Sequence, residues 1–60
     1  MTRLKKIRIE RNMTQQQLAQ ITGIKQPNVC RHESRGVTQI KTAKTYAHAL
    51  NCEWIDLIEL

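Results

Sequence analysis

Apolar residues recur along this chain at helical rather than strand spacing. Leu4 and Ile7 share one face of a stretch from about 2 to 12, with Met13 just beyond its end and Arg3, Lys5, Lys6 and Arg11 on the solvent side. Thr14 opens a second helix. Its hydroxyl and the side chain of Gln17, three residues on, make the T-x-x-Q capping box. Leu18, Ile21 and Thr22 follow on helical spacing, and Gly23 stands where a chain leaves a helix through positive φ. A third helix is predicted over about 26–34. Pro27 is tolerated in it because a first-turn N–H has no intrahelical acceptor to lose. Val29, His32 and Glu33 fall on its inner side, and Gly36 ends it. Thr38 is placed to cap a fourth helix over about 39–50, with Ile40, Ala43, Tyr46, Ala47 and Leu50 inward and Asn51 as a left-handed stop. Trp54, Leu57 and Ile58 pattern a last short helix over 53–59. No stretch alternates convincingly as a strand. The expected fold class is all-α, a compact bundle of five short helices forming a single domain over 1–60.

Size then limits what such a bundle can do. A chain of 60 residues buries only about 60% of its unfolded surface, so its core is thin. With one Trp, one Tyr and no Phe, that core comes from Leu, Ile, Val, Met and Ala. An enzyme pocket of several hundred cubic ångströms is hard to build here, and neither catalysis nor a small-molecule ligand is expected. The possible metal ligands Cys30, His32, His48 and Cys52 lack zinc spacing, so no metal or cofactor is expected either. Cys30 and His32, two apart on a helix, point to different sides and do not readily make a nucleophile–base pair. The cysteines show no C-x-x-C spacing, and the N-terminal charge is not followed by an apolar run. A reducing, cytoplasmic setting with free thiols is the expectation. No run approaches the roughly 20 apolar residues of a membrane span. Residues 3–11 carry basic charge but lack the aromatic content of a membrane-surface helix.

Charge adds a partner class. Ten Lys and Arg stand against five Asp and Glu, for a net charge of +5. That balance suits an anionic partner, most often nucleic acid, and equally suits plain solubility. The stretch 15–34 decides between them. Two helices that cross steeply need a small residue at their closest approach, supplied by Ala19. They need a positive-φ residue in the turn, Gly23, and an apolar residue locking the second helix on the first, Val29. Those are the requirements of a helix-turn-helix.

On these residues the chain resembles the Cro/CI-type (XRE-like) family of phage repressors and bacterial transcriptional regulators. Met13-Thr14-Gln15, Leu18-Ala19, Gly23, Val29 and Glu33 match the family's spaced pattern. Tyr46-Ala47-x-Ala49-Leu50-Asn51-Cys52 is similar to its later segment, and Trp54 and Leu57 stand for the apolar residues of its final helix. Departures are Lys25 where a Ser or Thr cap is common, Thr22 and His32 at usually apolar positions, and Asn51 for Gly. The resemblance implies a lambda-repressor-like fold and a sequence-specific regulator that binds double-stranded DNA. Such a Cro-like or repressor-like protein would meet a palindromic operator as a homodimer, its third helix in the major groove. It further implies that Gln15 binds a phosphate, and that Arg8 and Glu33 form a structural ion pair between the first and third helices.

The residues suggest their own contacts. With Val29 inward at 100° per residue, Pro27 and Arg31 point most directly outward, Asn28 and Cys30 flank them, and Gln26 lies at the N-terminal tip. Arg31 is the leading base reader, its guanidinium matching O6 and N7 of guanine; a phosphate contact or a solvated charge is its alternative. Gln26 suits adenine, Asn28 either job, and Pro27 a thymine methyl or merely a helix start. Gln15, Gln16, Lys25 and Arg35 are the candidate phosphate contacts, Gln15 because a helix N-terminus with an amide donor suits an anion, Lys25 and Arg35 by charge and position. Trp54, Ile55, Leu57, Ile58 and Leu60 place five apolar residues within seven, more than a small core needs. That surplus reads as a homodimer surface or a heterologous partner site. The rival functional class is an antitoxin-like or other protein-interaction module in which DNA binding is secondary.

Overall fold

Helix starts in this protein are written by side chains that satisfy otherwise orphaned N–H groups. The computed structural model describes residues 1–59. Helix α1, Arg3–Glu10, begins after Thr2, whose hydroxyl accepts from Lys5 N at 3.3 Å. Helix α2, Gln15–Thr22, carries the full capping box: Thr14 accepts from Gln17 N at 3.0 Å, and Gln17 Oε1 accepts from Thr14 N at 2.9 Å. Gly23 ends it at φ +76°, in the left-handed region that favours glycine. Helix α3, Gln26–Arg35, follows an extended Lys25, with Pro27 in its first turn and no side-chain cap. Helix α4, Ile40–Leu50, stops at Asn51 with φ 55° and ψ 51°.

Several sequence expectations are corrected. Among the described residues four α-helices form rather than five. The segment expected as a helix over 53–59 holds only a 3₁₀ turn, Trp54–Asp56. The reason is long-range. Glu59 N donates to Val37 O at 2.7 Å, and Ile58 makes a parallel bridge to Val37, which draws the backbone out of helical winding. Helix α1 ends two residues early, because Asn12 turns the chain at φ 57°. The N-cap of α4 is Gln39 rather than Thr38. Ile40 is half exposed rather than inward, since it sits in the first turn and the buried stripe of α4 starts at Ala43. Ile21, on helical spacing with Leu18, is exposed as well.

The core gathers Leu4, Leu18, Val29, Val37, Ala43, Tyr46, Ala47, Leu50, Leu57 and Ile58. Every α-helix contributes, and Leu57 and Ile58 of the terminal segment close the core. Within it lies one buried acid. Glu33 of α3 pairs with Arg8 of α1 through two hydrogen bonds, Nε to Oε2 and Nη2 to Oε1, the latter at 3.1 Å. Gln15 Nε2 of α2 donates to Oε1 of Glu33 at 3.0 Å. Arg8 Nη1 also donates to Met13 O at 2.6 Å, and Thr2 Oγ1 to Glu33 O at 2.8 Å. Donors from α1 and α2 thus converge on the single carboxylate that α3 carries.

Two outcomes follow. Removing one partner of this buried pair strands the other charge, so Glu33→Ala is expected to cost about 3–5 kcal/mol in urea unfolding. A loss below about 1 kcal/mol would show the pair to be solvated, as surface pairs are. Gly36 lies at φ +95° and ψ 156°, and a Cβ there would meet Glu59 Cγ at 2.7 Å. Gly36→Ala should therefore destabilise by about 1–3 kcal/mol. That should exceed the cost of Gly23→Ala, where a Cβ meets nothing within 4 Å.

Candidate nucleic-acid interface

The turn from Gly23 to Lys25 brings the N-terminal ends of α2 and α3 onto one side of the molecule. Between them lies an open groove of about 740 Å³ lined by Thr14, Gln16, Gln17, Ala19, Gln20, Ile24, Lys25 and Gln26. Its chemistry is that of carboxamides, one ammonium and the first turns of two helices. Helix N-termini carry partial positive charge and unpaired N–H groups, so such a groove suits an anion.

Helix α3 divides cleanly by face. Val29 and Glu33 are buried inward, and His32 is half-buried against α4. Gln26, Pro27, Cys30, Arg31 and Ser34 are exposed, and Asn28 is half-buried beside them. Gln26, Pro27, Asn28 and Arg31, the proposed base contacts, thus share one side of the N-terminal two turns. Arg31 Nη2 donates to Asn28 Oδ1 at 2.7 Å.

The proposed phosphate contacts do not all come together. Gln16 and Lys25 line the groove, and both are exposed. Gln15 is half-buried beside it, with one amide donor turned to Glu33. Arg35 sits at the opposite end of α3, about 15 Å away at 1.5 Å per residue. There it lines a separate groove with Lys5 and Ser34.

The proposed dimer surface is largely displaced. Leu57 and Ile58 are core residues, drawn inward by the pairing with Val37, and present nothing to a partner. Trp54 is half-buried against the core and Ile55 is 60% exposed. Leu60 lies outside the described residues.

Other residues have roles that spacing did not reveal. Arg11, expected to be solvated, donates from Nε to Leu50 O at 3.0 Å and so caps the end of α4. Cations at helix C-termini are a recognisable signal, but α4 is far from Arg11 in sequence. His32 Nδ1 lies 2.7 Å from Tyr46 Oη, with the rings edge-to-face at 5.5 Å. Burial, aided by Glu33, pushes the Tyr46 hydroxyl up to about 12, so it keeps its proton. With Nδ1 unprotonated, a neutral imidazole accepts a hydrogen bond from that hydroxyl. Burial and then the Arg31 charge lower the pKa of His32. The Cys52 thiol is raised by burial and by Asp56, and both cysteines are free. Among the described residues no three His, Cys, Asp or Glu side chains gather as a metal site. No helix among them is long and apolar enough to cross a membrane.

A family model described as a Cro/C1-type HTH DNA-binding domain matches residues 3–60. No curated protein and no solved structure matches the chain.

The lowered His32 pKa sets a pH dependence. The unfolded chain binds the proton first as pH falls below the ordinary histidine value of 6.5, so stability should drop there. Thermal unfolding followed from pH 8 to about 5 should show that drop, and His32→Gln should flatten it. An equal slope in the variant would assign the effect to other groups.

Proposed function

Because the chain belongs to the Cro/C1-type helix-turn-helix family of DNA-binding domains, we propose that it reads duplex DNA sequence-specifically and regulates transcription as a Cro-like or repressor-like protein. In this reading a homodimer meets a palindromic operator, with α3 of each subunit in a major groove and the two half-sites about one helical turn apart. One observation carries the proposal. The face of α3 that the core does not use presents Gln26, Pro27, Asn28 and Arg31 together, beside a groove formed by two helix N-termini.

The roles divide by chemistry. Arg31 matches the paired acceptors of a guanine edge, and Gln26 matches adenine. Pro27 has no donor and makes apolar contact only. Lys25, Gln15 and Gln16 hold the phosphate backbone and set the register, which fixes position without reading sequence. The net charge of +5 steers the protein to any DNA. The homodimer reading is supported by exposed Ile55 beside Trp54. Repression would follow from occlusion of promoter DNA, or regulation from contact with polymerase.

Selection from randomised DNA tests the whole proposal, since a two-fold symmetric site reports a dimer. Arg31→Ala should then lose discrimination at one base pair by about 1–3 kcal/mol. Lys25→Ala should weaken binding to all sequences alike and reduce the salt slope by about one. A uniform loss in Arg31→Ala would remove it from the base readers, and equal affinity for selected and random duplexes would sink sequence-specific binding.

A further inference from the structure

The hydrogen bond between Asn28 and Arg31 gives Asn28 a second use. We propose that Asn28 is a positioning residue for Arg31, holding the guanidinium in place on α3 before DNA arrives; this rests on the base-reading role of Arg31 above. The two residues are three apart, so they are neighbours one turn along the helix surface. The Arg31 Nη2 to Asn28 Oδ1 distance of 2.7 Å is that of a good hydrogen bond. An arginine has donors and no acceptor, so it is the carboxamide oxygen that faces it. That settles which end of Asn28 is engaged and leaves the NH₂ group free.

Two consequences follow for reading. An asparagine that recognises adenine uses its oxygen and its NH₂ together. With Oδ1 turned to Arg31, Asn28 is left as a donor, able to meet an acceptor on a base or a phosphate. Arg31 meanwhile keeps four of its five N–H donors for DNA. A free arginine loses much rotamer freedom on docking, whereas one already tethered loses less. Asn28 is itself half-buried while Arg31 is exposed, so the less exposed side chain anchors the more exposed one.

The test compares the duplex selected by the unmodified protein with its single-base variants at the pair Arg31 reads. Asn28→Ala should cut discrimination at that pair about two- to tenfold, the weight of one released side chain. In an Arg31→Ala background the same change should cost nothing further at that pair. Asn28→Asp keeps the oxygen acceptor and should restore discrimination, while its added charge weakens binding to every sequence. Without DNA, ¹⁵N relaxation of the Arg31 Nε–H group should show greater mobility in Asn28→Ala than in the unmodified protein. The idea is overturned if Asn28→Ala costs the same in both backgrounds at that pair, or leaves Arg31 mobility unchanged. Discrimination lost in Arg31→Ala but kept in Asn28→Ala would sink the positioning role alone. Discrimination kept in Arg31→Ala would sink the base-reading role and the positioning role with it.

Discussion

A carboxylate buried in a core this thin is tolerable only if every element around it turns a donor inward. Glu33 imposes that constraint. Arg8 supplies two N–H groups and the compensating charge, and Gln15 supplies a third donor from another helix. Desolvating one ion without the other costs several kcal/mol, so α1, α2 and α3 are held in the single arrangement that keeps all partners in place. The same guanidinium donates to Met13 O, so the turn leading into α2 is fixed by the same group. The crossing of α2 and α3 is what presents the N-terminal half of α3 to solvent. The orientation of the exposed face of α3 therefore depends on an ion pair on the opposite, buried side of the helix.

Helix α3 is used twice. Its inner side, Val29 and Glu33, belongs to the core, and the opposite side is free for contact. Few side chains remain for specificity, which places weight on how well each is oriented. In the proposed reading, the bond from Asn28 to Arg31 would act on that problem directly. The basic charge is also less free than its total implies. Arg3, Arg8 and Arg11 each donate to acceptors within the protein, and Arg8 is neutralised by Glu33. Long-range attraction still draws on the net charge of +5, while Lys25 and Arg31 are exposed at the first turns and outer side of α3.

His32 and Tyr46 show how a departure from an apolar position is accommodated. A histidine between α3 and α4 introduces a polar nitrogen into the packing, and the buried tyrosine hydroxyl satisfies it. The edge-to-face contact of the rings keeps the apolar packing as well. The burial of the ring is what makes this contact sensitive to pH, because it disfavours the charged imidazole.

What the sequence determined by itself is local. The Thr14–Gln17 box, the stops at Gly23 and Asn51, and Pro27 in the first turn of α3 each depend on backbone within a few residues, so they were legible without a structure. The helix-turn-helix was legible for the same reason, its small, positive-φ and apolar positions falling within twenty residues. In the terminal segment, tertiary structure alone decided which apolar residues were spent on the core. Leu57 and Ile58 read as surface because five apolar residues crowd one short segment; a bridge to Val37 buries them and unwinds the expected fifth helix. Arg11 read as solvated until α4 brought the Leu50 carbonyl to it. Periodicity states which residues share a face. Only the packing of distant segments states what that face meets.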